Sequence, residues 1–551
     1  MRLPGSAMVT AYFRSLSALG LALGTLFLAA SLTPSLIPRS AAMQGVLSGI
    51  SFAVGYGIGH GVRLVWLYLG LPYPRRAAWP RMLLSLACAA VAAVAFWKAS
   101  DWQNGIRILI EMPPVESSRP FTLGAITIAV AAVLLLLGRL FGAAVRLFSA
   151  WADRLLPPRV AALLGFVLAA ALFWSIGSGV LMRGVLTALD SSYARYDALL
   201  EPESPRPTEP GKTGSSASLV GWQGLGRAGR EIVAAGPDAA QITRMSGRPA
   251  REPLRIYVGL NSAETPEDRA RLALAEMQRQ GAFERATLVI ATPTGTGWLD
   301  PGSQKAVEYL TDGDIATVTV QYSYLPSWLA LFVDAEYGTE TARAVFATVY
   351  HHWESLPEGA RPRLFLHGLS LGALNSDLSA DLFDVIADPF QGALWAGPPF
   401  PSPTWQQAVA ERVPGSPAWL PQFRDGSVIR FTTQRDVLAD DPRPWGPLRI
   451  VYLQHAGDPI VFFEETSAWR EPDWMRGPRG PDVSPDLRWY PVVTFLQLAL
   501  DMAIATGTPP GYGHVYSGAH YLDAWRAVLG RDAWGAPELE ALRALLAREQ
   551  L

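Results

Sequence analysis

The chain of 551 residues contains one cysteine, Cys88, inside an apolar run. A single cysteine permits no disulfide within the chain and no Cys-x-x-Cys metal knuckle, and a cysteine-free remainder suits either side of a membrane. Basic stripes and basic tails are also absent, and the formal net charge is only −2. Nothing in the composition therefore suggests nucleic acid as a partner. Histidine is scarce, with seven in the chain, and no cluster of His, Asp and Glu has metal-ligand spacing, so neither a metal nor any other cofactor is expected. A phosphate loop is missing as well. Gly211-Lys212-Thr213 resembles the end of one, but no glycine stands five residues earlier and no strand precedes it.

What is present is unevenly spread. Residues 1–200 are dominated by Ala, Leu, Val and Gly, while the remainder has the mixed composition of a soluble domain. Five apolar runs approach or reach the roughly 20 residues needed to cross a bilayer: Leu16 to Leu32, Val46 to Val62, Met82 to Phe96, Leu123 to Leu137 and Ala161 to Val180. The N-terminal flank and the second and fourth connections carry Arg2, Arg14, Arg63, Arg75, Arg76, Arg81, Arg139, Arg146, Arg154 and Arg159; the first and third carry only Arg39, Lys98, Arg107 and Arg119. This asymmetry predicts a cytoplasmic N-terminus, and five spans then put the C-terminal part outside. A cleaved signal peptide is the competing reading of the first run, but the charge alternation requires that run to stay in the membrane. Glycines at 55, 57 and 59 suit close helix packing. Apart from His60, no ionisable group lies near the middle of a run, which argues against a transport path. Residues 201–218 read as a Pro-, Ser- and Gly-rich linker, flexible enough to reach about 25 Å.

From 219 to 551 strands and helices alternate. Leu254 to Gly259, Thr287 to Ala291, Thr317 to Gln321, Arg363 to His367, Gly392 to Trp395, Val428 to Thr432 and Arg449 to Leu453 read as strands. Thr265-Pro266 opens a helix that Gly281 closes, and Ala342, Val345, Phe346, Val349 and Trp353 share one face of another. The rhythm predicts a mostly parallel sheet covered on both faces, with ligands at the carboxyl ends of its strands.

Arg363 to His367 runs directly into Gly368-Leu369-Ser370-Leu371-Gly372, followed by a helical pattern in Leu371, Leu374, Leu378, Leu382 and Val385. Strand, Gly-x-Ser-x-Gly turn and helix together make the context of a nucleophile elbow, with Ser370 as the nucleophile. A serine hydroxyl needs a histidine base, and the base needs a carboxylate to fix its tautomer. In the order Ser, acid, His, two sets are open: Ser370/Asp458/His514 and Ser370/Asp436/His455. The first is preferred, because the second leaves Asp458 and His514 without work. The oxyanion needs two backbone donors. One is the N–H of Leu371; the other is expected from the loop Thr292 to Trp298, at Gly295 or Thr296, with Asn261-Ser262 competing. Between acid and base, residues 463–491 hold Trp469, Trp474 and Trp489 and read as an inserted cap.

These motifs, together with Gly259-Leu260-Asn261-Ser262-Ala263, Gln321-Tyr322-Ser323, Gly392 to Pro399 and Gly513-His514-Val515-Tyr516, resemble a bacterial family of integral-membrane proteins. Its members join a multi-span N-terminal region to a C-terminal α/β-hydrolase domain. The resemblance implies an α-helical transmembrane bundle, an α/β-hydrolase fold with a mostly parallel sheet, Ser370 as nucleophile, and Asp458 with His514. It implies no defined substrate. The expected activity is a membrane-anchored serine hydrolase, esterase- or lipase-like, in the bacterial cytoplasmic membrane. Its partners would be the bilayer and an ester, thioester or lipid-like acyl substrate. An acyltransferase with the same triad, and an inactive membrane scaffold, are the alternatives.

Overall fold

The computed structural model describes residues 16–72, 78–182, 197, 205–325, 335–381, 385–439, 441–530 and 533–549. Arg2, Arg14, Arg75 and Arg76 of the charge count, residues 201–204 of the linker and Leu382 lie outside them. The chain divides into two compact units. One holds Met1–Leu186 with Glu464–Met475 and Val483–Asp501; the other holds Thr187–Phe463, Arg476–Asp482 and Met502–Leu551.

The first unit is helical: α1 Ala18–Ser31, α2 Ala41–Tyr68, α3 Ala78–Leu109, α4 Pro120–Ala152 and α5 Pro158–Trp174, which continues as π-helical turns over Ser175–Met182. Among the described residues four helices are long and apolar enough to cross a membrane: α2, α3, α4 and α5 with its extension. The first of the five expected runs is shorter. With 14 residues, α1 spans about 21 Å at 1.5 Å per residue, against a hydrocarbon core of about 30 Å. Glycine sets the packing. A Cβ on Gly55 would lie 2.7 Å from Leu23 O and one on Gly59 2.7 Å from Leu19 O, whereas Gly57 faces open space. On its other side α2 meets α4 through Gly45 and Gly49, where a Cβ would strike Ile126 and Val130. Small residues thus let backbones approach closely enough for dispersion to hold the helices.

The second unit contains a seven-stranded sheet in the order β1-β3-β2-β4-β5-β7-β6, every pairing parallel. Its strands are β1 Leu254–Val258, β2 Thr287–Thr292, β3 Ile315–Val320, β4 Arg363–Leu369, β5 Gly392–Ala396, β6 Ile429–Thr432 and β7 Arg449–Leu453. Almost every strand residue is buried, as a sheet covered on both faces requires. The helices of this unit include α6 Pro266–Gln280, α7 Pro301–Leu310, α8 Ala335–Ser355 and α9 Leu371–Asp377, then, after α10 Val493–Ala503, which belongs to the first unit as far as Asp501, α11 Gly518–Leu529 and α12 Ala536–Arg548. Thr265 caps α6 through Asp268 N–H and Gly281 ends it at φ 71°, as the sequence predicts. On one face Phe365 and Leu369 join Ala306, Val307, Trp525 and Leu542 in a core shared with α7, α11 and α12; Leu364 and Leu366 point the other way.

Two expectations change, and one grouping is added to what the sequence suggests. The helix after Ser370 ends at Asp377, seven residues long, where the Ser379 hydroxyl turns back onto Ser376 O at 2.8 Å. Residues 205–218 are fastened to the α/β unit and do not form a free tether: Thr213 Oγ1 donates to Arg255 O at 3.0 Å, Ser218 Oγ to Glu276 at 2.7 Å, and Arg279 to Pro210 O at 2.7 Å. The composition that suggests flexibility instead makes tight turns whose polar groups find partners. Finally, the insertion between acid and base groups largely with the helical unit, through Glu464–Met475 and Val483–Asp501. Trp489 serves its internal packing by donating to Ser467 O at 2.8 Å.

Candidate active site

Parallel strands end together, and β4, β5 and β7 bring three of the expected residues to one edge. Ser370 follows β4 with φ 56° and ψ −128°, a conformation unfavourable for a residue with a Cβ and one that functional turns often hold. The glycines around it are steric necessities. A Cβ on Gly368 would lie 2.2 Å from Gly372 O, and one on Gly372 would lie 2.3 Å from Thr292 O. The turn is fixed by Ser370 N–H donating to Ala396 O at 3.0 Å, at the end of β5. The next residue, Gly397, has φ 49°, and a Cβ there would meet His514 Cε1 at 2.7 Å. Ser370 and His514 are therefore both seated against Ala396-Gly397.

Asp458 follows β7 and is fully buried. One oxygen accepts Ile460 N–H at 2.9 Å and so caps the short helix Pro459–Phe462. The other lies 2.7 Å from His514 Nδ1. A carboxylate only accepts, so Nδ1 carries the proton and Nε2 presents its lone pair. His514 Nε2 is buried and makes no hydrogen bond to the protein; bonds of this kind often close only when substrate is bound. Tyr516 supplies what the sequence reading missed. Its hydroxyl donates to the same Asp458 oxygen at 2.7 Å, and burial, then the charge of Asp458, push its pKa well up, so it remains a donor. The signal was present in Gly-His-Val-Tyr, two residues beyond the base.

The second set is not assembled. Asp436 accepts Leu438 N–H at 3.0 Å and Ala439 N–H at 3.1 Å in a local turn. His455 is 2.9 Å from Gly513 O through Nδ1 and 3.3 Å from His520 Nδ1 through Nε2, and it stacks on Tyr516 with centroids 4.2 Å apart. Burial, with His520 beside it, holds its pKa well below the usual range. A neutral His455 thus braces the loop that carries His514. His367 is likewise a core residue, lying between Leu394 O at 2.8 Å and Ser303 Oγ at 2.9 Å, and burial lowers its pKa to about 4.

Leu371 opens α9, where first-turn N–H groups have no partner within the helix. Gly372 sets the 292–298 loop against that helix start. Inside the loop Thr294 N–H donates to Trp298 O at 3.0 Å and Gly297 N–H to Thr294 O at 2.9 Å, and Gly295 and Thr296 form the bend between them. Tyr257 supports the loop from β1 by donating to Gly297 O at 2.8 Å, and Gln321 reaches Thr296 O at 3.4 Å. At the competing site Ser262 is occupied locally, its N–H on Gly259 O and its hydroxyl on Gly224 O, both at 3.0 Å. Another buried carboxylate, Asp300, caps α7 and has its pKa raised to about 6 by burial, which outweighs Gly302 N–H and the opposing influence of His514. Among the described residues no group of three or more His, Cys, Asp or Glu could hold a metal ion.

Comparison with known proteins agrees with this architecture. Residues 254–542 match an alpha/beta-hydrolase family, and residues 32–237 match the N-terminal region of the same family. No curated protein and no solved structure matches the chain.

Proposed function

The chain belongs to this alpha/beta-hydrolase family, and we propose that it is a membrane-anchored serine hydrolase cleaving an ester or thioester through an acyl-enzyme. The reading rests on one observation above the others: His514 Nδ1 is 2.7 Å from a buried Asp458 oxygen while Ser370 sits in a strained elbow against the same Ala396-Gly397 step. Ser370 Oγ attacks the acyl carbon as His514 Nε2 takes its proton, and Asp458 stabilises the imidazolium. The oxyanion is met by Leu371 N–H and a donor at Gly295 or Thr296. Collapse expels the alcohol or thiol, which receives the proton from His514; water then repeats the sequence and frees the acid. Ser370→Ala in the full chain, solubilised in detergent, is expected to abolish fluorophosphonate labelling and lower turnover by about 10⁴-fold. Undiminished labelling of that variant would overturn the assignment. Acyl transfer to an added acceptor in excess of free acid would replace hydrolase with acyltransferase.

The substrate we propose is an acyl-lipid reached from the membrane surface. Support comes from four apolar helices in the same chain and from outward-facing Phe121, Trp97 and Trp174 on them. The proposed orientation, N-terminus cytoplasmic and α/β unit outside, requires α1 to cross as a fifth span; four spans would leave both ends on one side. Alkaline phosphatase fused after residue 218 should be active in a bacterial host, and green fluorescent protein fused there should be dark. The reverse pattern would put the α/β unit in the cytoplasm.

A further inference from the structure

Residues Arg476–Asp482 stand between the acid and the base in the chain and belong to the α/β unit. They lie on the turn that carries Asp458. That turn follows β7 and closes where Asp458 N–H donates to His455 O at 3.2 Å. It meets the base loop twice, through Asp458 to His514 Nδ1 at 2.7 Å and through His455 Nδ1 to Gly513 O at 2.9 Å. Inside the turn, Gly457 N–H donates to Asp482 Oδ2 at 2.9 Å. The two segments are pressed together along this contact. A Cβ on Gly457 would lie 2.9 Å from the same Asp482 oxygen, and one on Gly480 would lie 2.1 Å from Ala456 Cβ.

Residues 478–482 are themselves tied to the sheet at both ends. Gln434, just beyond β6, donates to Asp482 Oδ2 at 2.9 Å. At the other end Trp419 Nε1 donates to Pro478 O at 3.0 Å, and Gln454, the first residue after β7, donates to Trp419 O at 2.9 Å. Asp482 is only 2% exposed, and burial raises its pKa, with the charge of Asp458 acting in the same direction against the hydrogen bonds from Gly457 and Gln434. Both of those bonds enter Oδ2, while Oδ1 is buried with no hydrogen-bond partner among the described residues. Burying a carboxyl in this way costs free energy, and what the turn receives from it is one acceptor oxygen. An amide offers the same oxygen without a charge.

We propose that Asp482 is a positioning residue for Asp458: by accepting Gly457 N–H it fixes the turn from which the catalytic carboxylate reaches His514 Nδ1, and it does so as a hydrogen-bond acceptor. The inference rests on reading Ser370, Asp458 and His514 as the triad. Asp482 does not touch the reacting atoms.

The test uses the full chain in detergent micelles with a water-soluble p-nitrophenyl ester, comparing wild type, Asp482→Ala, Asp482→Asn and Ser370→Ala. A misplacement of about 1 Å can cost a hundredfold in rate, so Asp482→Ala should lower kcat by about 10- to 100-fold while KM stays within about threefold. Asp482→Asn keeps an acceptor for Gly457 N–H and should hold kcat within about threefold of wild type. Wild-type kcat in Asp482→Ala would overturn the proposal, whatever happens to KM. So would an Asp482→Asn as slow as Asp482→Ala, because the charge and not the hydrogen bond would then be what matters. If Asp482→Ala does not fold, Asp482→Val fills more of the space and still accepts nothing: folded and slow supports the positioning role, folded with wild-type kcat overturns it, and failure to fold as well assigns Asp482 to stability and overturns it too. Full activity of Ser370→Ala would defeat the triad reading itself; an inactive Ser370→Ala beside a fully active Asp482→Ala defeats only the role of Asp482.

Discussion

The two units bury opposite things. In the helical unit apolar side chains face outward, with Phe121 92% and Leu155 83% exposed, and the polar residues Arg39, Gln44, Gln103, Gln497 and Asp501 lie inside. In the α/β unit the strands are buried on both faces, and the polar groups of chemical interest, Ser370, Asp458 and His514, gather where β4, β5 and β7 end. Each arrangement suits a different solvent. Four helices of the first unit are long and apolar enough to cross a membrane, and in hydrocarbon it is close backbone contact and polar groups that join helices. Water drives the sheet faces inward and leaves the strand ends as the place where unspent backbone and side-chain polarity converges.

Both units use glycine for close approach, and substituting alanine in each separates what the two kinds of packing tolerate. At Gly372 the added Cβ would lie 2.3 Å from Thr292 O, in backbone fixed by the sheet. Gly372→Ala is expected to cost more than about 4 kcal/mol, or to give no folded α/β unit. At Gly59 the clash is with Leu19 O at 2.7 Å, and two helices can slide apart. Gly59→Ala should cost about 1–3 kcal/mol and leave fluorophosphonate labelling at the wild-type level. Denaturant unfolding of the purified full chain, read beside fluorophosphonate labelling, checks both. Equal penalties at the two sites would mean that the helices are held as rigidly as the sheet.

A hydrogen bond offers a smaller contrast. Tyr516→Phe removes a donor from Asp458 but leaves Ile460 N–H and His514 in place. Bonds to a buried charge are worth about 1.5–3 kcal/mol, so kcat should fall by about 10- to 100-fold with KM little changed. In the helical unit Ser48→Ala removes the 2.9 Å contact to Ser31, where an interhelical bond averages about 0.6 kcal/mol. A Tyr516→Phe variant with wild-type kcat would show that this Asp458 oxygen needs no donor besides His514.

What was legible in the sequence divides along the same line. All seven strands could be read because each is a short apolar run between turn signals, and the elbow could be read because Gly368, Ser370 and Gly372 fall within five residues in the Gly-x-Ser-x-Gly pattern. Asp458 and His514 could be proposed from strand ends and chain order. Their shared support could not: Tyr516 meets Asp458 across 58 residues and His455 meets Gly513 across 58, and nothing local marks either contact. The grouping of Glu464–Met475 and Val483–Asp501 with the N-terminal helices could not be read either, because Asp501 finds Arg39 462 residues away. The 205–218 segment misled for a related reason. Composition measures what a segment can bury within itself, and Thr213 and Ser218 are satisfied by α6 and β1.

The remaining contrast is electrostatic and belongs to the α/β unit. Burial raises the carboxyls of Asp300 and Asp377 to about 6, so between about pH 4 and 6 the folded protein holds protons there that the unfolded chain has released. Stability from these two groups is therefore full at low pH and is lost as pH rises through 6. His367 and His520 act in the other direction. Burial lowers both to about 4, so the unfolded chain binds protons first as pH falls below about 6.5, and acid destabilises through them. Because the signs oppose, the wild-type curve blends them, and the informative quantity is a difference. Asn caps a helix about as well as Asp, so Asp300→Asn with Asp377→Asn removes two titrations without removing the α7 cap. The Tm of this variant minus that of wild type should be near its lowest at pH 4.5, rise through pH 6 and level off above pH 7. A difference that is flat across that range would mean that both carboxyls ionise as they do in water, and that the carboxyl ends of the strands are wetter than their burial implies.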